Sequence, residues 1–141
     1  MHLPLLLALT LLAEAPAAAP QPAAHEPELV PYQLVILQRP AQPRDYPQEK
    51  LDEIQKEHLG HLMHLAETGK LVVAGPLGDQ PDPRLRGIEL FDVGSTAEAK
   101  RLAEEDPAVK AGRLEVVVMT WYVEKGALAF PMSEKLRKPQ P

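Results

Sequence analysis

The chain has 141 residues, room for one domain, with 45 % hydrophobic and 25 % charged residues, a balance ordinary for a globular protein. A formal net charge of -5, with no run of Lys or Arg, excludes a basic nucleic-acid-binding surface. There is no cysteine, which excludes disulfides, thiolate catalysis, Cys-ligated zinc and lipid attachment through cysteine.

The first feature in chain order is Leu3 to Leu12, LPLLLALTLL, an apolar run of signal-sequence length and too short to span a bilayer. The small residues of AEAPAAAPQPAA follow, with an A-x-A cleavage site ending at Ala17. Residues 1–17 are therefore expected to be a signal peptide, sending the chain to the periplasm or outside the cell with no membrane attachment after cleavage. Residues 18–31 are Pro- and Ala-rich and read as a flexible lead-in. The folded domain is expected over 32–126, and 127–141 reads as a polar, Pro-bounded arm or tail.

Within the domain, Gln33 to Gln38 is a short apolar strand, ended by Pro40 and Pro43. A helix is predicted from about Pro47 to Thr68, closed by Gly69 just past its C-cap. Leu71 to Ala74 is a second strand. After a loop rich in proline and glycine, Ile88 to Val93 is a third. Ser95 and Glu98 form a capping box for a second helix running to about Glu105. Asp106 caps a one-turn helix with Pro107 at its first position and Gly112 at its end, before the long final strand Leu114 to Val123. The order β-α-β-β-α-β predicts an α+β, ferredoxin-like fold: four antiparallel strands with both helices on one face. In the last strand Leu114, Val116 and Val118 point one way and Val117, Met119 and Trp121 the other, so the sheet is apolar on both faces. Two helices cover one face only, and a homodimer packed sheet against sheet is the expected cover for the other.

Three histidines, His58, His61 and His64, lie on the first helix. Steps of three residues rotate them by about 60° each, so they do not share a direction. The core stripe is Leu51, Ile54, His58, Leu62 and Leu65; His61 falls at its edge and His64 faces solvent. An imidazole inside an apolar stripe needs a hydrogen-bond partner. His58 thus reads as a core histidine bonded to a backbone carbonyl, as a catalytic acid or base, or as a metal ligand with His61. No metal motif and no cofactor-binding fingerprint is present, and no cofactor is expected. Asp106 has two readings as well: a helix cap, or a carboxylate that orients an imidazole. Gly75 and Pro76 form either a tight turn or a loop whose backbone faces a pocket. Tyr32 and Trp121 are candidate apolar or stacking walls.

The segments EHLGHLMHLAETGKLVVAGPL and LRGIELFDVGSTAEAKRLAEEDPAVKAGRLEVVVMTWY, from Glu57 to Tyr122, resemble the YCII-related domain family, and the first strand extends the resemblance to about Tyr32. The resemblance implies a ferredoxin-like fold that dimerises as an α/β-barrel type of pair. It also implies a His–Asp active site, carried here by His58 and Asp106, with Gly75 and Pro76 matching the family turn. Most members lack an assigned reaction; the pair suggests lyase-like or isomerase-like chemistry on a small organic substrate. The competing expectation is a non-catalytic, dimeric ligand-binding or accessory domain that uses the same pocket as a ligand site or has no pocket at all, with packed, solvent-free surroundings of His58 as its discriminator.

Overall fold

Residues 26–139 are described by the computed structural model, so the expected signal peptide over 1–17 lies outside the described residues. The order is β1 (Leu29–Gln38), α1 (Gln48–Glu67), β2 (Leu71–Pro76), β3 (Leu85–Phe91), α2 (Thr96–Glu104), α3 (Pro107–Lys110), β4 (Glu115–Glu124) and α4 (Pro131–Leu136).

β1 starts at Leu29, so the last residues of the expected lead-in are strand. The strand expected from Gln33 thus begins four residues earlier, and Pro31 is tolerated within it because β3 pairs with β1 only from Gln33 onward, leaving a neighbour on one side alone. α1 ends with Gly69 at φ 74, a left-handed position that glycine adopts without a steric penalty. α2 begins as its capping box requires, with Ser95 Oγ accepting the Glu98 N–H at 3.1 Å. Beyond residue 126 the chain is a docked element rather than a tail: α4 packs on α1 and β2, and the Lys138 N–H donates to the Glu67 carbonyl at 2.9 Å. The absent side chain of Gly69 makes the space that the Arg137 guanidinium fills.

The strands lie in the order β2-β3-β1-β4, all neighbours antiparallel. Val35 and Leu37 of β1 and Phe91 of β3 point to the helical side, where they meet Leu65 of α1 and Ala99, Leu102 and Ala103 of α2. Val35 and Phe91 are fully buried, and burial of each such side chain contributes about 1.5–3 kcal/mol. Both long helices therefore cover one face. The α/β-barrel type of arrangement is not what this chain forms: the sheet is open, with β2 and β4 paired on one side only. Closure would need the edge strands β2 and β4 to hydrogen-bond each other, and they do not.

The opposite face carries Val117, Met119 and Trp121, which are 39 %, 40 % and 45 % exposed. Tyr32, which pairs with Trp121, is on the same face. One end of that face is covered from within the chain, where the Phe130 ring meets Tyr32 edge to face at 5.5 Å between centroids.

Candidate active site

His58 enters the inner side of α1 because the stripe that buries Ile54 and Leu65 passes through it. Its ring is 12 % exposed, and its Nδ1 lies 2.5 Å from Asp106 Oδ2. Asp106 precedes α3 and is 1 % exposed. Its Oδ1 accepts the Ala108 N–H at 2.8 Å, so one oxygen caps α3 and the other meets the imidazole. The two sequence readings of Asp106 are thus satisfied together by the two oxygens of one carboxylate. α1 and α3 pack against each other, which brings together residues 48 apart in sequence.

The Asp106 hydrogen bond holds the His58 pKa above the ordinary imidazole value, more strongly than partial burial lowers it. With Nδ1 engaged, Nε2 is the nitrogen left for chemistry. The ring borders an open cleft of about 650 Å³, walled by α1, by Gly75 and Pro76 at the end of β2, and by Gly87 to Glu89 of β3. A Cβ on Gly87 would stand 2.9 Å from the Gly75 carbonyl oxygen, so the bare glycine permits the close approach of these two strands along the cleft wall.

Glu89 is the residue that sequence reasoning missed. It lies on the helical side of β3, between Gly87 and Phe91, is 1 % exposed, and borders the same cleft. Burial pushes its carboxyl up to about 7, with the Asp106 carboxylate adding to the rise and His58 opposing it. A signal was present: a strand apolar on both faces leaves no solvated side for a glutamate, and a buried acid is the informative exception. Arg39, Arg86 and Arg113 also border the cleft and were likewise not singled out.

Tyr32 and Trp121 are not brought to His58. Side chains alternate along a strand; Val35 and Leu37 face the helices, so Tyr32 and its partner Trp121 face away. Tyr32 lines a separate shallow depression with Asp92, Gly94 and Lys125. His61 sits at the edge of the stripe and its Nε2–H donates to the Leu102 carbonyl at 3.0 Å, tying α1 to α2. His64 is exposed. Among the described residues no group of three or more His, Asp or Glu side chains is placed to hold a metal ion.

The YCII-related domain matches residues 31–122. No curated protein matches the chain. Among solved structures, the chain is similar to the 5-chloro-2-hydroxyhydroquinone dehydrochlorinase TftG from Burkholderia phenoliruptrix AC1100, in complex with 2,5-dihydroxybenzoquinone. The similarity covers 64 % of this chain and 92 % of that one, at 25 % identity and a TM-score of 0.44.

Proposed function

The chain belongs to the YCII-related domain family, and from that premise and the site geometry we propose that it is a small-molecule enzyme of lyase or isomerase type. The carrying observation is the 2.5 Å contact between His58 and the buried Asp106 at the wall of an open cleft. Asp106 fixes the ring so that Nδ1–H points away from the cleft and Nε2 exchanges a proton with substrate. It is a positioning residue; His58 is the catalytic one.

Elimination and isomerisation both need a proton removed at one atom and another delivered nearby. Glu89 supplies the second group. Burial brings the Glu89 carboxyl up to about 7, where it can give or take a proton at neutral pH, while Asp106 raises the His58 imidazole. The open cleft beside the ring supports this reading over a packed, purely structural histidine.

The test is proton exchange. Wild type in deuterium oxide is mixed with a panel of small enolisable carbonyl compounds, and loss of the α-proton signal is followed by NMR. Exchange by wild type that disappears in His58→Asn, with the fold retained by circular dichroism, is the expected outcome. Equal exchange rates in wild type and His58→Asn would refute the assignment.

A further inference from the structure

Arg39 directly follows β1, Arg86 lies in β3 and Arg113 closes the turn before β4, yet all three border the cleft that contains His58. Arg86 is the extra residue of a strand irregularity: Leu37 pairs with Gly87 and Gln38 with Leu85. A bulge of this kind re-aims a side chain that strict alternation would send to the other face. Arg39 is fixed by its own N–H to the Arg84 carbonyl at 2.7 Å and by Nη1 to the Arg113 carbonyl at 3.3 Å. Arg113 Nη1 donates to the Arg44 carbonyl at 2.6 Å.

These contacts position the guanidinium groups without neutralising them. Among the described residues the arginine ion pairs are those of Arg84 and Arg101, and none of the three cleft arginines takes part in one. Arg39 is held below its usual pKa by partial burial and by the neighbouring charges of Arg113 and Arg86. Two carboxyl groups also reach the cleft. Asp52 is engaged by Gln48 Nε2 at 2.7 Å, and Glu89 is at the buried wall. Neither forms a salt bridge with the arginines. Three neighbouring cations outside any ion pair, two of them held by backbone carbonyls, form a receptor for acidic oxygens, and Leu51, Ile54 and Leu62 add apolar wall.

We propose that the cleft binds a small organic oxyanion, its acidic oxygens held by Arg39, Arg86 and Arg113 and its apolar body laid along α1 toward His58. This names the substrate class for the proposed enzyme and rests on the cleft being its substrate site. The binding itself is measured without turnover, so the two readings fail separately.

The experiment is calorimetric titration of the full chain with hexanoate, hexyl phosphate and the neutral hexanamide at pH 7 and low salt. One or both anions are expected to bind at least about tenfold more tightly than the amide. The order of the two anions tells a carboxylate from a phosphate head group. Arg86→Gln removes an exposed side chain that the fold does not use, and Arg113→Gln removes a second cation. Each should weaken the preferred anion by about tenfold and leave the amide unchanged, while His58→Asn keeps the anion bound. Equal affinity for anion and amide, unchanged anion affinity in both folded arginine variants, or no binding by wild type would overturn the proposal. Anion binding that depends on the arginines, with no proton exchange in any assay, would leave it standing and remove only the catalytic reading.

Discussion

Replacing Glu89 by glutamine should make the protein more stable, and increasingly so as the pH rises. In the unfolded chain this carboxyl ionises at its ordinary value of 4.5, and in the folded chain it keeps its proton to about 7. Between those values the folded state binds more protons than the unfolded one, so stability falls as pH rises. The full penalty is present above about pH 7. At about 1.4 kcal/mol per pH unit, the gap between 4.5 and about 7 corresponds to roughly 3 kcal/mol. Glutamine has nearly the same shape and no charge to desolvate. It also removes a carboxylate that favours the His58 imidazolium, which trims the gain slightly. Urea unfolding at pH 5 and pH 8, followed by circular dichroism, measures the difference directly. Glu89→Gln should lie within about 1 kcal/mol of wild type at pH 5 and about 2–3 kcal/mol above it at pH 8. A difference that stays constant across that range would show that Glu89 ionises normally, and the acid–base pairing with His58 would fall with it.

The His58 ring should stay protonated above the usual imidazole range in an NMR titration, and Asp106→Asn should bring the midpoint down. The matching stability contribution is present below 6.5 and is lost as the pH rises through the raised value. Asp106→Asn should also cost about 1–3 kcal/mol in thermal or urea unfolding, because it weakens both the α3 cap and the ring contact. Gly87→Ala should destabilise by about 1–3 kcal/mol, since the new methyl would press on the Gly75 carbonyl; unfolding indistinguishable from wild type would contradict that close approach. A second copy is proposed as the cover for the exposed Val117, Met119 and Trp121, with light scattering giving twice the chain mass and Trp121→Glu giving a monomer; wild type running as a monomer at micromolar concentration would refute it.

The punctuation of the fold was legible in the sequence because local chemistry sets it. Ser95 and Glu98 announce α2, Asp106-Pro107 announces α3, and Gly69 and Gly112 stop helices at positive φ. The stripe through Ile54 and Leu65 located His58, and the structure sets its ring against Asp106. What escaped was decided by pairing between distant segments. Pro31 looks like a strand breaker until its neighbour is known to be missing on one side. Tyr32 and Trp121 were legible as candidate walls but not as to side, because a strand apolar on both sides gives no sign of which parity meets the helices. Glu89 carried a signal as a charge in a strand apolar on both faces, but the side it occupies is set by the pairing with β1. Arg86 reaches the cleft through a bulge, which is a property of the β1–β3 register and of neither strand alone. Whether an open sheet closes is likewise invisible in the composition of its strands.

The contact between His58 and Asp106 closes a loop of 48 residues that contains β2, β3 and α2. Loop closure of that length has an entropic cost that only the assembled elements offset, so the pair does not form in a chain whose middle is disordered. The imidazole resonance is therefore a built-in gauge of completed assembly. Refolding followed by that signal should lag behind the recovery of helical circular dichroism, and a chain with helices formed but the strands between them unpaired would carry an ordinary, solvent-exposed histidine.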